Sequence, residues 1–192
     1  GSVGREFQNA GWTVVSVDIE SKFNPTLCMS VLDIPLDFGV GTWDFIWSSP
    51  PCTLYSKART TGPAPDMEQA NMLSLHTCNL IKALKPTYWA IENPDNNSSS
   101  GIWKLPCLAN LPYVVASYCH YSDWGYRKNT RIATNVVRWT PRVCKYDCQN
   151  LVHGLRRHIC TAQRGPSREG DRSFKREDLY RIPPRLIQEL LS

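Results

Sequence analysis

The sequence predicts an α/β fold: a parallel or mixed sheet covered by helices, with a small Cys/His-rich appendage towards the C-terminus. Three observations carry this reading. Short apolar runs rich in β-branched and aromatic residues alternate with stretches of helical periodicity. Two of those runs end in a chemically active side chain beside proline, which is where open α/β sheets keep their sites. From about Pro141 the composition turns to Cys, His and Arg.

Taken in order, Gly1 to Ala10 predicts a short helix, and Trp12-Thr13-Val14-Val15-Ser16-Val17-Asp18 an apolar strand ending in an acid. A loop and a small strand-like unit follow, closing at Val31-Leu32-Asp33-Ile34. Trp43-Asp44-Phe45-Ile46-Trp47 is a short strand that delivers Ser48-Ser49-Pro50-Pro51-Cys52, a thiol on a stiff Pro-Pro turn. Asp66 can cap the next helix, with Gln69 three residues on as in a capping box. Ala70, Leu73, Thr77, Leu80 and Leu84 then step by three and four until Pro86 stops it.

Tyr88-Trp89-Ala90-Ile91-Glu92-Asn93-Pro94 repeats the strand-then-proline arrangement with a carboxyl in place of the thiol, so the two tips are expected to share a pocket. Asn96 to Gly101 reads as a flexible loop, Tyr113 to Tyr118 and Thr130 to Asn135 as two more strands, and Ser167 to Arg176 as a mobile stretch. Ile182 to Leu191 is a short amphipathic helix with proline at its start. The boundaries are a catalytic core over 1–140, a Cys/His-rich segment over 141–166, and a linker with the C-terminal helix over 167–192.

A chain of 192 residues, 42% hydrophobic and with seven tryptophans, can bury a real core of about one domain. The net charge of +5 is mild, but Arg156, Arg157, Arg164, Arg168, Arg172, Lys175 and Arg176 crowd the C-terminal part. That crowding suits a polyanionic partner, or equally a solvated basic surface. The eight cysteines form no regular disulfide framework and no signal peptide precedes them, which points to a reducing, intracellular compartment. No run approaches the roughly 18 apolar residues of a membrane span, so a soluble protein, expected to be a monomer, is the reading.

Pro50-Pro51-Cys52, Glu92-Asn93-Pro94 and Arg131, in that order, resemble the motifs of the DNA (cytosine-5) methyltransferase family, especially its compact phage-like members. The resemblance covers roughly residues 1 to 140. It implies a Rossmann-like sheet, S-adenosylmethionine as cofactor, DNA as partner, and a host-cell nucleus or cytoplasm with a phage- or virus-encoded source. Cys52 matches the nucleophile that adds to carbon 6 of cytosine, Glu92 the carboxyl that shares a proton with the base, and Arg131 the donor at its 2-carbonyl. The target base has to leave the duplex for this chemistry.

For the cofactor, the resemblance assigns Asp18 to the ribose hydroxyls with Ile19 beneath the adenine, Asp33 and Ile34 to the adenine amine and its apolar neighbour, and Pro50 to the site wall. Gly1 and Ser2 look like the tail of the glycine-rich loop, whose opening and preceding central strand are absent; the chain is read as a fragment or as carrying a cloning scar at Gly1-Ser2. Arg127-Lys128-Asn129-Thr130-Arg131 stands where the family has Gln-x-Arg-x-Arg, which makes Arg127 and Lys128, with Ser56, candidates for nucleic-acid contact. Transfer RNA is the rival substrate. A degenerate nucleic-acid-binding protein on the same fold is the alternative of another class.

The second cluster is Cys144-x3-Cys148-x4-His153-x4-His158-x-Cys160. Thiols and imidazoles this close can hold a structural zinc ion through Cys144, Cys148, His158 and Cys160, with His153 as substitute. The plain alternative is a reduced Cys-rich turn. Cys28, Cys78, Cys107 and Cys119 are read as structural.

Overall fold

The computed structural model describes residues 1–52, 55, 66–95, 101–163 and 172–192. Four helices, α1 (Ser2–Asn9), α2 (Met67–Leu84), α3 (Arg176–Tyr180) and α4 (Pro184–Leu191), accompany six strands. The strands are β1 (Val17–Asp18), β2 (Leu27–Cys28), β3 (Phe45–Ser48), β4 (Tyr88–Pro94), β5 (Tyr113–Ser117) and β6 (Asn129–Thr134). The fold is α/β with a mixed sheet.

β1 and β2 pair in parallel as a two-stranded sheet, while the other four form a second sheet in the order β3-β4-β6-β5. β3 runs parallel to β4, with Phe45 opposite Tyr88 and Ser48 opposite Ile91. β6 runs antiparallel to both its neighbours. Asn135 and Thr134 bond the backbone of Trp89 at one end while Arg131 meets Asp95 at the other. On its far side Thr134 pairs with Pro112 and Lys128 with Tyr118.

Two compact units divide the chain: Gly1–Ser16 with Val115–Thr130 and Trp139–Ser192, and Val17–Val114 with Arg131–Arg138. The core of the second is built on α2. Ala70, Cys78 and Ile81 pack with Ile91, Ile102, Trp103, Leu108 and Ala133, while Leu80 and Leu84 pack with Ile34. Each Leu or Ile side chain among them contributes about 1.5–3 kcal/mol on burial, whereas helix propensities differ by only tenths of a kcal/mol. Packing rather than propensity therefore fixes α2. Asp66 accepts the Gln69 N–H at 2.9 Å, as the capping signal predicts, and the helix ends on Lys85 in the left-handed conformation (φ 50°) just before Pro86.

In the first unit α1 packs against α4. Phe7, Leu186, Ile187 and Leu190 are buried there. Glu6 Oε2 accepts from Gln188 Nε2 at 2.8 Å, and Ser2 Oγ from the Ile182 N–H at 3.2 Å.

Several predicted elements shorten. Of the strand expected over 12–18 only Val17–Asp18 pairs, and Val31–Asp33 forms a 3-10 turn capped by Ser30 instead of a strand. Residues 96–100 of the loop expected at Asn96 to Gly101, and residues 167–171 of the stretch expected to be mobile, lie outside the described residues.

Candidate active site and metal centre

The parallel β3–β4 register sets Ser48 beside Ile91, so the Ser49-Pro50-Pro51-Cys52 turn and Glu92-Asn93-Pro94 leave the sheet at the same end. One hydrogen bond ties the two tips together: buried Asn93 donates from Nδ2 to the Pro50 carbonyl at 2.7 Å. Cys52 is half-buried, and Glu92 is 6% exposed, a nearly dry position for a carboxyl.

Beyond Cys52 the loop is held a second time. The Tyr55 N–H donates to the Cys52 carbonyl at 3.1 Å, and the Tyr55 hydroxyl reaches into α2, 3.0 Å from Asn71 Oδ1 and 3.3 Å from Ser74 Oγ. Burial raises the Tyr55 pKa above its ordinary value. Sequence reasoning missed Asn93 and Tyr55 as positioning residues. Both lie within or beside the motifs, but side-chain hydrogen bonds between distant segments leave no periodic signal.

Arg131, on β6, donates from Nε and Nη2 to Asp95 Oδ1 at 3.1 and 2.8 Å. Its guanidinium lies 4.3 Å from the Tyr113 ring centre and 5.4 Å from that of Trp103. Three contacts therefore hold it beside the strand end that carries Glu92. Asp95, Tyr113 and Trp103 had no sequence signal of their own.

Among the cofactor candidates, Asp18 ends β1 and accepts the Glu20 N–H at 2.8 Å, and Ile19 beside it is 70% exposed. An acid next to an uncovered apolar side chain at a strand end is a donor set that fits a nucleoside. Asp33 is exposed, and Pro50 is buried. Ile34 departs from expectation: it is buried with Leu80 and Leu84, so its side chain serves the core. Gly1 and Ser2 belong to the first unit, where Gly1 is the N-cap position of α1 and Ser2 Oγ is engaged by Ile182.

The nucleic-acid candidates also find internal partners. Lys128 Nζ donates to the Leu179 carbonyl at 2.8 Å and sits 5.0 Å from the Tyr118 ring centre. Arg127 Nε donates to Asn129 Oδ1 at 3.1 Å, with Tyr146 under its guanidinium at 5.5 Å. Ser56 lies outside the described residues.

In the first unit Cys119, Cys144, Cys148 and His158 converge, each offering one ligand atom within 4.8 Å of the others. His158 Nε2 is 3.6 Å from Cys144 Sγ and 3.3 Å from Cys148 Sγ. Burial pushes the Cys119 thiol pKa up, and its two thiol neighbours add to the shift. Cys148 is raised mainly by burial too. Cys144 is pulled the other way: burial opposes, but the N–H groups of Tyr146 and Asp147 together with the neighbouring thiols lower it. Burial also lowers His158, which favours the neutral, ligating form.

Cys160 is not in this group. Its Sγ points at the Trp124 carbonyl, 3.4 Å away, because its backbone N–H is tied to the Gly125 carbonyl at 2.9 Å. The close approach needs glycine: a Cβ on Gly125 (φ 84°) would meet Cys160 Sγ at 2.9 Å. Cys119, read from sequence as structural, takes the fourth place. His153 is exposed on the loop before Gly154.

Among the described residues no helix is long and apolar enough to cross a membrane. No model of a protein family matches the chain. A curated relative from Frog virus 3 (isolate Goorha), named "Probable DNA (cytosine-5)-methyltransferase", is 32% identical over 204 residues, covering 96% of this chain and 90% of the relative.

Proposed function

Since this chain belongs to the DNA (cytosine-5)-methyltransferase family, we propose that it methylates carbon 5 of cytosine in DNA, using S-adenosylmethionine and Cys52 as nucleophile. The observation that carries the reading is the Asn93 to Pro50 hydrogen bond of 2.7 Å, which locks the thiol-bearing turn to the carboxyl-bearing strand end.

Each residue has a task set by its surroundings. Cys52, as thiolate, forms a bond from Sγ to carbon 6 of the flipped-out cytosine, and the electron pair of the 5,6 double bond moves to carbon 5. Glu92, nearly dry, holds the proton at ring nitrogen 3 that balances this addition. Arg131, braced by Asp95 and Tyr113, offers donor character at the 2-carbonyl. Once carbon 5 carries the methyl group, loss of its proton to a base breaks the carbon–sulfur bond, the proton at ring nitrogen 3 returns to Glu92, and Cys52 is released as thiolate. S-adenosylmethionine, when bound, supplies the electrophilic methyl group; Asp18 and Ile19 would hold its nucleoside end, with Asp33 and Pro50 at the rim.

The parallel β1–β2 and β3–β4 pairings support a family sheet of Rossmann-like type. The crowding of basic residues towards the C-terminal part favours a second reading, a nucleic-acid-binding protein that keeps the fold without turnover. We retain 1–140 as the catalytic segment, 141–166 as the Cys/His-rich segment with a structural zinc ion, and 167–192 as linker and terminal helix. A monomer in a reducing compartment of a virus-infected cell, nucleus or cytoplasm, fits free cysteines and a viral relative.

Covalent trapping tests the proposal. The chain is incubated with S-adenosylmethionine and a duplex carrying 5-fluorocytosine, and a denaturation-resistant adduct is sought by mass spectrometry. An adduct mapped to Cys52 is expected. Its formation only on a 5-fluorocytosine-containing transfer RNA moves the substrate to RNA. No adduct, together with salt-sensitive DNA binding and no thermal shift on adding cofactor, supports the second reading.

A further inference from the structure

We propose that Cys119, Cys144, Cys148 and His158 hold one structural zinc ion, so that the fourth ligand comes from the turn after β5 and not from Cys160. The proposal rests on the zinc reading above and changes what the ion would fasten. With Cys160 all four ligands would lie within one short stretch. With Cys119 the ion joins the end of β5 to the 144–148 turn and to the hairpin that carries His158.

Distances decide in favour of the tetrahedral site. A zinc ion with bonds of about 2.3 Å to sulfur and about 2.0–2.1 Å to nitrogen sets sulfur–nitrogen edges near ~3.6 Å and sulfur–sulfur edges near ~3.8 Å. The two sulfur–nitrogen separations to His158 are 3.6 and 3.3 Å, and all four ligand atoms lie within 4.8 Å of one another. Three thiols and one imidazole are the donor set of a closed structural zinc site. Binding forms three zinc–sulfur bonds and one zinc–nitrogen bond, and the thiol protons pass to solvent.

Neighbouring groups hold these ligands in place. The Tyr146 N–H points at Cys144 Sγ from 3.3 Å, an approach made by the left-handed Tyr146 backbone (φ 66°). Buried Asn150 brackets the site: its Nδ2 donates to the carbonyls of Cys119 at 2.8 Å and Ser122 at 2.7 Å, and its Oδ1 accepts the Gly125 N–H at 2.9 Å. Leu151 packs against the three thiols. Three thiolates around a divalent ion leave one net negative charge, and the guanidinium groups of Arg127 and Arg156 lie 5.5 and 5.1 Å from the centre of the Tyr146 ring that flanks His158. His120 and Asp147, 3.2 Å apart, form a second group with Cys144, but it has three donors and the carboxylate is exposed.

The full chain, expressed with added zinc and freed of loosely held metal, is measured by elemental mass spectrometry and, after replacement by cobalt(II), by optical absorption. One zinc per chain is expected, with intense d–d bands of a tetrahedral site and sulfur-to-cobalt charge transfer of three-thiolate strength. Cys119→Ser and Cys148→Ser should fall to near zero zinc, while Cys160→Ser keeps its ion. Loss from Cys160→Ser with retention in Cys119→Ser overturns the ligand set and leaves the zinc reading standing. No zinc in the parent chain overturns both. If Cys119→Ser is insoluble, the parent spectrum still decides together with Cys160→Ser, since retained zinc and unchanged charge transfer in that variant require the third sulfur to be Cys119.

Discussion

Replacing Asn93 by alanine should separate the two halves of the active site without touching either reacting group. The lost bond is short, 2.7 Å, and both Asn93 and Pro50 are buried, so the Pro50 carbonyl would be left without this donor in a dry place. Such a group costs about 1–3 kcal/mol. The catalytic consequence is larger than the stability loss implies. A displacement of about 1 Å in a reacting group costs on the order of 100-fold in rate, and the Pro50 carbonyl lies just two residues before the thiol. Urea unfolding of Asn93→Ala should lose about 1–3 kcal/mol, and methyl transfer to duplex DNA should fall on the order of 100-fold in kcat with KM for DNA little changed. If kcat stays within about twofold while stability drops by the expected amount, the bond is only structural and the argument for a single locked pocket fails.

Cys52→Ser should leave the unfolding midpoint nearly unchanged, because it alters one atom at a half-buried position, yet abolish methyl transfer; retained turnover refutes the nucleophile assignment. Arg131→Lys loses the double donation to Asp95 and the stacking on Tyr113, so it should cost about 1–3 kcal/mol and lower kcat, read by thermal melts and initial rates. Tyr121 carries a pH signature. Burial first, then the Glu189 carboxylate that its hydroxyl meets at 2.9 Å, raise its pKa to about 12, against the opposing Arg142 N–H. With the folded pKa above the unfolded value near 10, stability is full below pH 10 and is lost as pH rises towards 12. Tyr121→Phe should be less stable at pH 8 and lose stability less steeply than the parent chain as pH rises, measured by urea midpoints from pH 8 to 11.

What the sequence made legible was whatever repeats along the chain or sits at a strand tip. α2 was readable because its buried face recurs at three- and four-residue steps and Asp66 announces its start; Cys52 and Glu92, because each ends an apolar run beside proline. β1 was over-read: Trp12 to Ser16 has the right side chains, but strand pairing needs a neighbour, and hydrogen-bonding partners are not written in composition. Ile34 carries the same ambiguity: an apolar residue after an acid can face a ligand or the core, and its packing against Leu80 and Leu84 is set by α2. Cys119 lies in the thiol–imidazole cluster and Cys160 outside it for a related reason. Short spacing favours Cys160, but the Gly125 backbone turns its sulfur towards Trp124, while the end of β5 brings a thiol from outside the cluster.

The Cys52 turn shows how the remaining pieces act together. A thiol between two rigid anchors can be aimed: Asn93 fixes Pro50 on the strand side, and Tyr55, anchored in α2, fixes the far side through the Cys52 carbonyl. Pro50 and Pro51 remove most of the backbone freedom between them. The ordering entropy of the thiol is thus met by folding and not on binding a substrate, which is what a preorganised site requires. Glu92 gains from the same construction, because the strand that buries it also carries the donor that holds its partner turn. A merely ancestral fold that only bound nucleic acid would have little use for two anchors around one thiol, and this is the strongest reason in the structure to expect turnover.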